Sequence, residues 1–352
     1  MTKVKLSFMH LLVVFMVANI CNASRSRVTS SIKVHKQLNL LNKAPVKSIK
    51  SPDGDTIDCV HISHQPAFDH PILKNHTIIK TRPSYHPDWI KDVNNKMNGS
   101  KVGSLTSPPR KHESITQLWH SNGKCPKGTI PIRRTNKDDV KKKHSLLVAQ
   151  PSFTDVRKGH EYAIVNTNGV FYGAKATLNL WNPMIQEQKE FSLGQLWITG
   201  GSIYDLNTIE AGWQVAPPVF GDTNTRLFIY WTSDGYQHTG CYNHQCSGFI
   251  QTNNEIALGG SISPTSQVIN IASGGQHTTT QMGSGHFPQE GAGKASYIKD
   301  IQIVDESNNF RTPQGLSTYT PEKSCYDILM DMNDNSGSQI FYGGPGRNEN
   351  CP

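Results

Sequence analysis

After residue 160 the chain carries no apolar stripe of helical period. Instead it runs through short segments rich in β-branched and aromatic residues: EYAIV, AKATLNLW, FSLGQLWITG, IEAGWQVA, TRLFIYW, GFIQ, KASYIKDIQIVD and QIFYGG. Gly, Pro, Asn and Asp punctuate them, and several alternate with period two. A segment of that kind has one apolar face and must bury it against another layer. The expectation is an all-β fold, an antiparallel double-sheet β-sandwich over residues 150–352. The Cys–Trp–Cys spacing of immunoglobulin domains is absent.

The first part of the chain reads differently. Lys3 and Lys5 precede an apolar run from Leu6 to Ile20, and Cys21 and Ala23 follow as small residues. Such a run is short for a membrane span and fits a secretory signal over residues 1–23. No later run could cross a bilayer, so no stable membrane insertion is expected. The destination would be extracellular or cell wall, with the vacuole as a variant. Residues 24–149 then form a small, partly irregular basic region. It begins with a loosely structured stretch, 24–92, in which IDCVHISHQPAFDHP is a strand followed by a turn. An exposed linker spans 93–113, and KDDVKKKHS (137–145) is a charged joint. Proteolytic processing is expected near 141–150.

Seven cysteines become six once the signal is removed, and an even count in a secreted chain points to disulfides. Cys241 and Cys246, in CYNHQC, suit a local bridge. Cys325 and Cys351 could tie down the C-terminal tail, which leaves Cys59 and Cys125 to each other. His238 and His244 lie near the CYNHQC pair, so a zinc site is the rival reading. No second cysteine pair at ligand spacing follows, and neither a metal nor a cofactor is expected. Asn75-His-Thr77 and Asn98-Gly-Ser100 are glycosylation sequons.

The net charge of +8 hides a split: residues 24–149 carry 23 Lys/Arg against 9 Asp/Glu, and residues 150–352 carry 10 against 18. No nucleic-acid recognition motif accompanies the basic half, so no nucleic-acid partner is expected. The alternative is intramolecular. A basic N-terminal piece would lie against an acidic body and leave as carboxylates protonate, which is the behaviour of an acid-released propeptide.

Chemistry concentrates in two places. In TIEAGWQV, period two puts Ile209, Ala211, Trp213 and Val215 on an expected core face. Thr208, Glu210, Gly212 and Gln214 take a polar face with an opening at Gly212. The next strand presents Arg226, Phe228 and Tyr230, so Gln214, Arg226, Phe228 and Tyr230 are candidates for a peptide groove. The stretch 276–291, QHTTTQMGSGHFPQEG, adds Gln281, with Ser284, His286 and Glu290 nearby. GSGH is not the G-x-S-x-G elbow, and H-E-x-x-H, P-loop and dinucleotide motifs are absent.

HKQLNLLNKAPVKSIKSPDGDTIDCV, HPILKNHTI, RPSYHP and GCPKGTIPIRR resemble the activation peptide of the plant neprosin family. IEAGWQV, GDTNTRLFIYWTSDGYQHTGCYN, TQMGSGHFPQEG and FYGGPGRNENCP resemble its catalytic domain. The resemblance covers nearly all of the chain after the signal. It implies a secreted glutamic endopeptidase that cleaves after proline at acid pH, on a double-sheet scaffold, with proline-containing peptides and its own propeptide as partners. It also implies that Glu210 is one of two catalytic glutamates. One carboxylate would activate water, the other would protonate the leaving amine, and glutamine side chains would polarise the carbonyl.

The second glutamate should stand in a W-G-G-E-like strand shortly before QHTTTQMGSGHF. Here NNEIALGGSISPTSQ runs directly into VINIASGGQHTTTQ, so that strand is missing between Gln267 and Val268. Neither Glu255 nor Glu290 occupies its place. Three readings stay open: a gene model lacking an exon, a degraded paralogue, or a stable inactive paralogue that binds peptides or cell-wall material.

Overall fold

The computed structural model describes residues 33–78, 116–140, 160–202, 205–262, 278–331 and 339–352. The signal segment, the linker 93–113, Asn98, the processing region 141–150 and the junction at 267/268 lie outside the described residues. So do Gln276 and His277.

The N-terminal module is an antiparallel sheet of β1 (Lys47–Lys50), β2 (Thr56–His61) and β3 (Thr129–Arg133), in that order. β2 is the strand expected at IDCVHISHQPAFDHP, and β1 is a second strand in the stretch read as loosely structured. β2 pairs with both neighbours and is buried from Ile57 to Val60. Its two faces feed two small cores. Ile57 and Cys59 pack with Ile49 and Trp119, and Val60 packs with Ile130 and Ile132. The Cys59–Cys125 disulfide closes the module. Asn75 lies exposed in the turn after two short 3-10 turns.

The body is all-β and antiparallel, as the punctuation of its segments predicts. β6 (Ser192–Gly200), β7 (Asn207–Val215), β8 (Arg226–Thr232) and β9 (Cys241–Tyr242) form one sheet in that order. The second sheet is centred on β10 (Ser296–Val304). It has β5 (Gly173–Leu178) on one edge, and β11 (Phe310–Arg311), β14 (Gln339–Gly343) and β13 (Asp327–Asp331) on the other side. β4 (Ile164–Asn166) and β12 (Ser317–Tyr319) form a separate two-stranded ribbon. The two sheets meet where the Tyr342 hydroxyl comes down on Gly194. A Cβ there would also lie 3.1 Å from the Trp213 indole nitrogen, so only glycine lets the layers close. Cys241–Cys246 and Cys325–Cys351 are both disulfides, so the first pair has no thiolates to offer a zinc ion.

Three expectations are corrected. GFIQ forms no strand, because the backbone N–H and C=O of Gln251 are taken by the side-chain amide of Gln65. The face assignment of β7 is inverted over its first half, whereas Trp213 and Val215 are buried as expected and Gln214 is buried with them. Ile209 is 63 % exposed and Ala211 is exposed, whereas Thr208 and Glu210 are buried. The second sheet covers the apolar face only near its Trp213 end, and the polar face is roofed by aromatic side chains. Among the described residues the charge contact also runs the other way: a body arginine, Arg226, meets module carboxylates Asp55 and Asp53.

Candidate functional site

Glu210 stands at the middle of β7, opposite Trp197 of β6 and Tyr230 of β8; Tyr230 in turn faces Tyr242 of β9. Paired residues of an antiparallel sheet point to the same side, so these four make one row across the sheet. Gln195, Gly212 and Phe228 form the next row, followed by Leu193, Gln214 and Arg226. The last row is four residues from Glu210, about 13 Å along the strand.

The Glu210 carboxylate accepts hydrogen bonds from the Tyr236 hydroxyl at 2.8 Å and the Thr208 hydroxyl at 3.1 Å. The Gln195 side-chain amide supports it as well. All three partners are neutral. Burial therefore dominates and holds the carboxyl above its usual range, while the three hydrogen bonds pull it partly back. No carboxylate is among the groups that shift it. Four tyrosines surround the charge. Tyr162 is pushed up to about 12, first by burial and then by Glu210, and Tyr230, Tyr236 and Tyr242 are raised by the same two causes in the same order.

Tyr236 reaches the carboxylate from the loop between β8 and β9. Its ring stacks on Tyr230 at 5.9 Å between centroids. The backbone is left-handed at both Gly235 and Tyr236, φ 62° and 65°, an unusual state for an aromatic residue. Asp234 holds that turn by accepting from the backbone N–H groups of His238 and Thr239. The sequence alone gave no sign that Tyr236 belongs to the site. The signal available was a Gly-Tyr pair in a short loop after a strand that presents Tyr230.

Gly212 is not an opening. A Cβ there would come within 2.7 Å of the Gln195 Cα, and the Gly194 carbonyl oxygen is closer still. The glycine is needed because β6 and β7 approach tightly beside Glu210. Beside the carboxylate, two buried polar atoms have no hydrogen-bond partner among the described residues, the Trp197 indole nitrogen and the Gln195 amide oxygen; the Gln214 amide nitrogen, four residues along the strand, is also unpartnered. A buried polar atom without a partner calls for an explanation, and a ligand or water that supplies the partner is one.

The remaining sequence candidates scatter. Phe228 and Tyr230 are buried on the Glu210 face, beneath aromatic neighbours. Arg226 is 1 % exposed and committed to Asp222 and Asp55, each at 2.6 Å. Gln281 belongs to the other layer, where its amide oxygen accepts from the Met184 backbone N–H. Glu290 pairs with His286 at 3.0 Å, and Glu255 offers only its backbone carbonyl, to His120. Neither contributes to the surroundings of Glu210. Among the described residues no cluster of His, Cys, Asp and Glu could hold a metal ion. No helix of the described residues is long and apolar enough to cross a membrane.

A family model described as the neprosin activation peptide matches residues 48–166. The model of the neprosin domain matches in two pieces, residues 188–272 and 267–345.

Proposed function

This chain belongs to the neprosin family, and on that premise we propose that it is the secreted precursor of a glutamic peptidase, with Glu210 as its proton-transferring carboxyl and proline-containing peptides as substrates. The observation that carries the reading is the setting of Glu210: a buried carboxylate on three neutral donors, beside two unspent polar atoms. Glu210 takes a proton from a water molecule, and the oxygen of that water adds to the scissile carbonyl carbon. The free Trp197 indole N–H, in the same cross-strand row as Glu210, is the donor available to the resulting oxyanion. Glu210 then returns the proton to the leaving nitrogen as the C–N bond breaks, so one carboxyl serves as base and then as acid. The ring of tyrosines and the indole of Trp197 supply apolar surface of the kind on which a proline ring packs.

The test uses the purified full-length chain, acid-treated, on a proline-containing peptide with products read by mass spectrometry. Cleavage after proline that disappears in Glu210→Gln supports the assignment. Cleavage unaffected by that change removes Glu210 from the mechanism.

One observation favours a second reading. Among the described residues no carboxylate is one of the groups that shift Glu210, and the two matched pieces of the domain meet at 267–272, where the sequence lacks the strand expected to carry the second glutamate. In that reading the protein is an inactive peptide-binding paralogue. It would bind the same peptide without cleaving it, and Glu210→Gln would leave that binding largely intact.

A further inference from the structure

Tyr236 reaches Glu210 from a turn that its own backbone does not favour. Gly235 and Tyr236 are both left-handed, and a residue with a side chain rarely stays so unless partners elsewhere hold it. Those partners are on the page. The Gly235 N–H donates to the Leu206 carbonyl at 2.8 Å, and the Tyr236 N–H donates to the Thr232 hydroxyl at 3.1 Å. Asp234 gathers the rest of the loop. Its carboxylate accepts from the His238 N–H at 2.9 Å, the Thr239 N–H at 3.0 Å, the Thr239 hydroxyl at 2.7 Å and the Thr232 hydroxyl at 3.1 Å. Residues 232–239 are thereby closed on themselves, with Tyr236 at the tip. The root of the loop belongs to the site as well: Thr232 pairs across the sheet with Thr208, which donates to the Glu210 carboxylate.

Asp234 differs from Glu210 in how its charge is held. Burial pushes the Asp234 carboxyl up, but its hydrogen bonds from Thr239, His238 and Thr232 outweigh that and keep it below the usual carboxylate range. Glu210 lies above that range, so Asp234 stays charged while Glu210 titrates. Asp234 is not among the groups that shift Glu210, although its charge helps to raise Tyr230. The titratable groups that feel Glu210 are Tyr162, Tyr230, Tyr236 and Tyr242, all raised and all neutral over that interval. The exposed imidazole of His238 is the titratable group beside Asp234, at 3.4 Å.

We propose that Asp234 is a positioning residue of the Glu210 site: it holds the Gly235–Tyr236 turn left-handed and so aims the Tyr236 hydroxyl at the Glu210 carboxylate. As a role in catalysis this rests on the reading of Glu210 as a proton-transferring carboxyl, whereas the coupling itself concerns only the proton affinity of that group. The two ways in which Asp234 could act on Glu210 have opposite signs. If it acted by charge, removing it would take away a nearby anion and lower the Glu210 pKa. Acting through Tyr236, its removal costs the carboxylate a hydrogen-bond donor and raises the pKa.

The experiment titrates the purified full-length chain, without substrate, by carboxyl NMR of 13C-labelled glutamate, with the Glu210 resonance identified by its loss in Glu210→Gln. In Asp234→Ala the Glu210 midpoint should rise by at least about one pH unit, the size expected when a buried carboxylate loses a donor. In a Tyr236→Phe background, adding Asp234→Ala should produce no further rise. An unchanged or lower midpoint in the single variant would overturn the proposal, and so would an equal rise in the Tyr236→Phe background. Should Asp234→Ala fail to fold, Asp234→Asn keeps the shape and one accepting oxygen; a smaller rise is expected there, and no rise or a fall would count against the positioning role. Cleavage of a proline-containing peptide by the same variants separates the two ideas: a shifted midpoint in a chain that does not cleave supports the positioning role and counts only against the peptidase reading.

Discussion

Arg226→Met should be among the most damaging substitutions in the described chain. The guanidinium is 1 % exposed and holds Asp55 of the module and Asp222 of its own sheet, each at 2.6 Å, with Asp53 at 3.9 Å. It also lies over the Phe220 ring, 5.0 Å from the centroid. Methionine keeps the stem and removes the charge, so the loss is electrostatic rather than volumetric. Breaking a buried pair from one side costs about 3–5 kcal/mol, because the partner charge stays buried. Two features pull the value toward the lower end. Asp55 keeps a second partner in Arg133 at 2.8 Å, and Asp222 is 36 % exposed and can rehydrate. A loss of about 3 kcal/mol follows, which corresponds to a fall in melting temperature of roughly 5–10 °C for a chain of this size. Thermal denaturation followed by near-ultraviolet circular dichroism measures it. Adding Asp55→Asn should recover part of the loss by removing a stranded charge, and the double-mutant cycle isolates that coupling. A single variant within about 1 kcal/mol of wild type would mean that the ion cluster does not hold module and body together.

Gly212→Ala should cost at least about 1–3 kcal/mol, since its Cβ would lie 2.7 Å from the Gln195 Cα and force β6 from β7; chemical denaturation reads the loss, and a neutral result would refute the tight approach. Glu210→Gln should stabilise the protein at neutral pH. A carboxyl held above its usual range favours the folded state most below its unfolded pKa, and that advantage is lost as pH rises through the folded value. The stability difference between variant and wild type should therefore grow from acid toward neutral pH, and a constant difference in urea midpoints would contradict the raised value. Tyr236→Phe removes the 2.8 Å donor to Glu210. It should cost about 1–3 kcal/mol, because a buried acceptor loses its partner, and should move the titration of Glu210, followed by carboxyl NMR, still higher.

Period two and the spacing of Gly, Pro and Asn were enough to place β6, β7, β8, β10 and β14, because strand formation there follows from local alternation. The spacing of Cys241 and Cys246 likewise made a local bridge legible, whereas Glu210 was singled out by the resemblance of IEAGWQV to the family's catalytic domain. Alternation reports that a strand has two faces; it does not say which one the rest of the molecule will cover. Glu210 is buried because Tyr236 and Tyr162 arrive from separate segments, and Ile209 is exposed because the second sheet ends short of it. The role of Arg226 depended on a turn more than 170 residues away, at Asp55. Gln65 and Gln117, ordinary polar residues in the sequence, became hydrogen-bond partners of the 251–260 backbone only when folding brought it against them. Local hydrogen bonding and side-chain period act over a few residues and are written in the chain, whereas burial and charge pairing depend on long-range contacts that exist only once the layers have packed.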